Sequence, residues 1–170
     1  MNVSTDVVKG FDYTLRYVRN IGPGTFRASG VITRYTEQAN KLFSDDPFDS
    51  VNGTIGAPKM TGVFDFSYQW KEWRVRYGLE WIDKMDSYAY LEEDPATSTY
   101  LFSTPSYTRH NLSAEYKKDK WSVIVGVRNL ADKEPPPISQ GFYNRVGNAP
   151  LYSGFDYVGR TWFVNGTLTF

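Results

Sequence analysis

The amino-acid sequence predicts an all-β fold: an antiparallel transmembrane β-barrel segment of about seven strands, with short turns at one end and long loops at the other. Three observations predict it. Apolar and polar residues alternate with a period of two through most of the chain, and no segment has helical spacing. Aromatic residues make up 17% of the chain, with 13 Tyr, 11 Phe and 5 Trp, although 22% of it is charged. Tight turns alternate with long polar connections. A membrane barrel combines these features because each strand meets lipid on one face and a polar lumen on the other.

The first strand is expected over Gly10–Val18, where Phe11, Tyr13, Leu15 and Tyr17 alternate with Asp12, Thr14 and Arg16. The second covers Thr25–Tyr35, with Phe26, Ala28, Gly30 and Ile32 on one face. The third covers Met60–Trp70, with Phe64, Phe66, Tyr68 and Trp70 opposing Asp65, Ser67 and Gln69. The fourth covers Trp73–Ile82, with Trp73, Val75, Tyr77, Leu79 and Trp81 opposing Arg74, Arg76, Gly78 and Glu80. The fifth covers Tyr107–Tyr116 and the sixth Trp121–Leu130. The seventh covers Val158–Phe170, with Trp162, Val164, Leu168 and Phe170 on its apolar face. Most of these are close to the roughly 9–11 residues that cross a bilayer at a tilt.

The segments Asn20–Gly24, Lys71-Glu72 and Lys118-Asp119 read as tight turns. Leu42–Pro58, Asp83–Pro105 and Ala131–Tyr157 read as long polar loops. Short turns on the periplasmic side and long loops outside are the outer-membrane arrangement. Trp70 and Trp73 flank one short turn, and Tyr116 and Trp121 flank another, so these four rings are expected at one height as an aromatic girdle. Trp81 and Trp162 fall near the opposite rim.

Composition excludes several classes. The 19 Lys and Arg balance the 19 Asp and Glu, so no basic surface asks for a nucleic-acid partner. There is no cysteine, hence no disulfide scaffold and no thiolate metal site. No run reaches the roughly 18–20 apolar residues of a spanning helix. The first residues contain no basic stretch followed by an apolar one, so no signal peptide is read there. An exported barrel needs one, and the chain is therefore expected to be a fragment of something longer. His110 is the single histidine, which disfavours a Ser-His-Asp triad. Asp45, Asp46 and Asp49, and separately Glu92, Glu93 and Asp94, form acidic clusters that are either solvated or offer oxygen ligands to a cation. No catalytic residue, cofactor or metal site is assigned. Asp65, Arg74, Arg76, Glu80 and Glu115 are expected in the lumen, paired with one another or facing a plug.

Two stretches carry a family resemblance. Trp121-Ser-Val-Ile-Val-Gly-Val-Arg-Asn-Leu-Ala-Asp-Lys-Glu-Pro-Pro136 resembles the segment of TonB-dependent receptors that runs from a strand into Asn-Leu-Phe-Asp-Lys and one or two prolines. Ala131 stands where Phe is usual. Phe155-Asp-Tyr-Val-Gly-Arg160 is similar to the Tyr-Asp…Gly-Arg segment that opens the family's final strand, and the chain closes on Phe170 as the family does. The motif residues are Asn129, Leu130, Asp132, Lys133, Pro135, Pro136, Gly159 and Arg160. Their expected roles are architectural: Asn129 ends a strand, the prolines stop pairing, Gly159 allows a bend, and Arg160 sits at the rim or pairs with a loop acid.

The resemblance implies the C-terminal part of a 22-stranded barrel in the Gram-negative outer membrane. An N-terminal plug, which meets TonB, and the earlier strands would lie outside this chain. It implies energised uptake of a small-molecule ligand such as a ferric siderophore, cobalamin, haem or an oligosaccharide. It also implies that Trp162, Val164, Leu168 and Phe170 are read by the barrel-assembly machinery. Outer-membrane lipid is the remaining partner. The alternatives are a complete small barrel with a structural or adhesion role, which needs an eighth strand, and a barrel enzyme, which His110 alone does not support.

Overall fold

Alternation has a direct structural consequence: strands that share a face must also share a register. The computed structural model describes residues 4–88 and 97–170. Its strands are β1 (Thr5–Ile21), β2 (Gly24–Lys41), β3 (Asp49–Ser50), β4 (Met60–Trp70), β5 (Trp73–Ile82), β6 (Met85–Asp86), β7 (Ser103–Thr104), β8 (Tyr107–Lys118), β9 (Trp121–Arg128), β10 (Arg145–Val146), β11 (Ala149–Pro150) and β12 (Thr161–Leu168). Seven long strands form one meander in the order β1-β2-β4-β5-β8-β9-β12, every neighbour antiparallel. The sheet does not close on itself: β1 and β12 are its edges.

The register keeps each apolar set together. Leu15 pairs with Gly30, Gly30 with Phe64, Phe64 with Leu79, and Leu79 with His110. Further along, Ala114 pairs with Val125 and Val125 with Val164. Directly opposed residues point the same way, so these ladders make one continuous face of mostly large apolar side chains. The opposite face carries Asp12, Asp65, Arg76, Glu80, Arg109 and Glu115. Glycine serves close approach here. A Cβ on Gly30 would stand 2.6 Å from the Phe64 ring, so the ring lies across a position that must stay bare.

Each hairpin turn begins with left-handed backbone, at Gly22 (φ 58°), Lys71 (φ 51°) and Asp119 (φ 52°). That hand matches the twist of the flanking strands. The last turn is Asp119-Lys120, one residue later than expected, because Lys118 still pairs with Trp121.

Several boundaries differ from the sequence expectation. β1 and β2 run on past Gly10 and Tyr35. Lys9 pairs with Glu37 and Gly10 with Tyr35, which leaves Thr36 as the extra residue of a bulge. The bulge shifts the alternation by one, so period-two counting stops there although pairing does not. β9 ends at Arg128 rather than Leu130, since Asn129 turns left-handed (φ 51°). β12 begins at Thr161 rather than Val158: Gly159 has φ 81°, and the Arg160 N–H is given to the Asp132 carboxylate at 2.8 Å instead of a ladder. β12 ends at Leu168, short of Phe170.

The long connections are not merely polar. Ile55, Met85, Tyr107, Ile138 and Phe155 form a buried cluster, with Ile82, Phe142 and Tyr143 packed against it. Burying each such side chain stabilises by about 1.5–3 kcal/mol, enough to hold segments with almost no ladder of their own. Backbone bonds tie the loops together: Ile55 N–H to the Asp86 carbonyl at 2.9 Å and Ser139 N–H to the Leu101 carbonyl at 2.7 Å. The Tyr143 hydroxyl donates to the Ile55 carbonyl at 3.2 Å, and burial raises its pKa, so it stays protonated. Sequence pattern missed this body because its apolar residues lie singly among polar ones.

The two faces should respond oppositely to charge. Val125→Arg, at mid-strand on the apolar face, is expected to destabilise the bilayer-folded chain by about 2–4 kcal/mol. Ile124→Arg, one residue away on the charged face, should cost far less. Urea unfolding of both variants in lipid vesicles checks this; equal losses would reject the assignment of faces.

Candidate functional site

The charged face of β4, β5 and β8 forms a concave wall. Its alternating positions bring acids and bases together across neighbouring strands, directly opposed for Arg109 with Glu80 at 2.5 Å and Arg74 with Glu115 at 3.2 Å, and diagonally for Arg76 with Asp65 at 2.6 Å. Asn111 donates to the other Glu80 oxygen at 3.1 Å. Arg109 also stands 3.9 Å from Asp156, which comes down from the loops. The wall encloses a hollow of about 430 Å³ lined by both charge signs, with Arg128 and Phe163 at its β12 side. Arg128 lies over the Phe163 ring at 5.5 Å, and that ring crosses Gly126, where a Cβ would meet it at 2.4 Å. These pairs are partly exposed, so each contributes on the order of 1 kcal/mol or less. Their effect is to fix where charge sits on the wall, available to a polar ligand or to a charged protein surface.

Asp65, Arg74, Arg76, Glu80 and Glu115 thus come together on one face. Sequence reading passed over Arg109 and Asp156, which link that face to the loops. Arg109 was accessible by the same period-two count, two residues from Tyr107 and from Asn111. Asp156 was not, because its neighbour across the fold is 47 residues away in sequence.

Asn129 joins the wall to the loop body. Its side chain is fully buried. It accepts from the Lys133 N–H at 2.8 Å and donates to the Lys133 carbonyl at 3.1 Å and to Asp156 at 3.0 Å. Its own N–H goes to the Asn111 side chain at 3.1 Å. The Tyr107 hydroxyl reaches the same Lys133 carbonyl at 3.0 Å, with its ring 4.9 Å from Phe155. The Leu130 N–H is held by the His110 carbonyl at 2.7 Å. Asp132 (φ 53°) pairs with Arg160 at 3.4 Å, so Arg160 takes the loop acid. Gly159 (φ 81°) suits this corner: a Cβ would be strained at that φ and would stand only 3.2 Å from the Asp132 carboxylate. Pro135 and Pro136 follow outside any ladder, Pro136 buried.

Trp70 and Trp73 face each other across their turn, Trp73 lies 4.8 Å from Tyr116, and Tyr116 lies 5.4 Å from Trp121. All four rings therefore stand at the short-turn rim. Trp162, Val164, Leu168 and Phe170 are exposed along the open edge strand and beyond its end. His110 lies on the apolar face with its Nδ1 2.6 Å from the Tyr77 hydroxyl. Asp46 accepts from the Phe43 N–H at 3.0 Å and Asp45 from the Ser44 hydroxyl at 3.2 Å. Among the described residues no three metal-ligating side chains converge. Glu92, Glu93 and Asp94 lie outside the described residues.

An antiparallel sheet with an apolar outer face, a charged inner wall, rings beside its short turns and one packed loop body is a section of an outer-membrane β-barrel wall. A family model described as "TonB dependent receptor-like, beta-barrel" matches residues 1–130. The chain belongs to that family, whose members are transporters of the Gram-negative outer membrane. No curated protein and no solved structure matches it. The matched span covers β1 to β9 and stops inside the Asn129-Leu130 motif; β12 is tied to it by eight paired residues, Thr161 with Arg128 through Leu168 with Trp121.

Asn129 should be the most sensitive position of the junction. Asn129→Ala strands the Lys133 N–H and takes a donor from the Asp156 carboxylate, and is expected to cost about 2–3 kcal/mol. Asn129→Asp removes the amide donor and sets a second carboxylate against Asp156, so it should cost at least as much. Denaturant midpoints of the folded chain measure both; midpoints within experimental error of wild type would reject the junction.

Proposed function

We propose that this chain is the C-terminal portion of a TonB-dependent receptor barrel and serves energised uptake of a scarce ligand across the outer membrane. A ferric siderophore, cobalamin, haem or an oligosaccharide is the ligand class. The observation that carries the reading is the pair of open edges on a one-sided sheet of a receptor-family chain. β1 and β12 are separated by five strands in an antiparallel meander, so they run in the same direction. An antiparallel wall closes on them only with an odd number of further strands, which an N-terminal part of the barrel supplies. The plug and its TonB contact belong to that same part. The charged hollow on the inner wall then faces the plug and the ligand's route.

In this reading Trp70, Trp73, Tyr116 and Trp121 form the periplasmic girdle. Trp162, Val164, Leu168 and Phe170 are the signal that the barrel-assembly machinery takes up, an apolar edge strand presented before its partner arrives. Asn129, Leu130, Asp132, Lys133, Pro135, Pro136, Gly159 and Arg160 shape the last loop.

Open edges in lipid leave backbone groups unpaired at several kcal/mol each, so the 170 residues alone are not expected to transport. Expression of this chain in a receptor-deficient strain should leave ligand uptake at background. Uptake restored by the chain alone would overturn the reading. Phe170→Ala should lower the amount inserted in cells while leaving detergent refolding unchanged; equal insertion would remove the assembly role.

A further inference from the structure

The apolar face carries almost no charge, and the charges it does carry lie at its two ends. Between the short turns and the bulge its charged members are Arg19, Arg34 and Lys118, all exposed; past the bulge Lys9 and Glu37 follow on the same side, paired with each other at 2.6 Å. The strand acids Asp12, Asp65, Glu80 and Glu115 are all on the other face. Arg19 is opposite Phe26, near the short turns, and Lys118 is opposite Trp121 at the same end. Arg34, opposite Phe11 and Met60, lies eight residues along β2 from Phe26. Eight residues span about 27 Å of strand, or roughly 20 Å of depth at the usual barrel tilt. That approaches the apolar band of roughly 25 Å that lipid covers. Cations therefore mark both borders of the band.

The short-turn border is the richer. Lys71 and Lys120 in the turns join Arg19 and Lys118, against the turn acids Glu72 and Asp119. Among the described residues none of these four cations makes an ion pair; Lys71 instead stands 5.0 Å over the Trp70 ring. On the inner wall Arg74, Arg76 and Arg109 are each matched to a carboxylate, while Arg27 turns to the Gln69 side chain and Arg128 to the Phe163 ring. Cations left unmatched beside Trp70, Trp73 and Trp121 are placed where lipid phosphates lie, since indole rings settle at headgroup depth.

We propose that the short-turn rim is a binding site for the phosphate headgroups of anionic lipid. Arg19, Lys71, Lys118 and Lys120 supply the charge, and the interleaved Trp and Tyr rings set the depth. Opposite-charge attraction near the membrane surface, added over several side chains, gives preference for an anionic headgroup over a zwitterionic one. The inference rests on the outer-membrane barrel reading and adds lipid selectivity to it.

The full chain, folded into vesicles holding equal phosphatidylcholine and phosphatidylglycerol, is extracted in mild detergent and its retained lipid is weighed by native mass spectrometry. Wild type should retain phosphatidylglycerol in roughly tenfold excess. The Arg19→Gln, Lys71→Gln, Lys118→Gln triple variant should retain both lipids alike, and Arg19→Lys with Lys118→Arg should keep the preference. Lys41→Gln with Lys133→Gln, at the far end of the sheet from the short turns, should leave it unchanged. Equal retention by wild type, or a preference that survives the triple variant, would overturn the proposal. Quenching of tryptophan fluorescence by brominated lipid separates the two levels. Quenching without headgroup preference rejects the lipid site and keeps the membrane face. No quenching rejects both.

Discussion

Backbone pairing in a medium without water is the constraint from which the rest of this structure follows. A spanning strand must give every N–H and C=O to a neighbour, because lipid offers neither donor nor acceptor. The seven long strands meet that demand internally, each laddered to the next, and leave it unmet at β1 and β12. The same condition explains the Thr36 bulge, which keeps pairing going past a break in the pattern instead of ending it. It also explains why Pro135, Pro136 and Pro137 follow Asn129, where the long ladder has already stopped.

Once pairing is obligatory, side chains are sorted by alternation alone. One set meets lipid and is apolar to its borders. The other meets the lumen and is polar, with Asp65 against Arg76 and Glu80 against Arg109. The pairs add little stability at their exposure. They hold a defined charge pattern on the wall, which a hydrated lumen without fixed partners would blur. Arg19, Arg34 and Lys118 on the lipid face make no ion pair among the described residues and occur at its borders, where an elementary charge is still hydrated.

The loops solve a different problem. They have little ladder, so apolar contact and a few buried polar anchors must order them. Met85 and Ile138, from separate connections, meet in one cluster over Tyr107, and Asn129 anchors that cluster to the wall through Lys133 and Asp156. The loop body is thus an extension of the strands β5, β8 and β9 rather than a set of independent tails.

The strands, their faces and the short turns were legible in the sequence because each follows from near neighbours: the count of two, the ring pairs Trp70 with Trp73 and Tyr116 with Trp121, the Gly22-Pro23 turn. β4 and β5 appear in the structure with the bounds the pattern alone assigns. Asn129 could be named as a strand-ender, and Gly159 as a bend at the entry of the last strand, for the same local reason. Tertiary structure alone decided what depends on distant partners. It carried β2 past its bulge because β1 and β3 pair there, and it withdrew Val158–Arg160 from the last strand because Asp132 claims the Arg160 N–H. It also gathered Ile55, Met85, Ile138 and Phe155 into a core that no periodicity announces, since burial of scattered side chains is a property of the folded space between loops and not of their order along the chain.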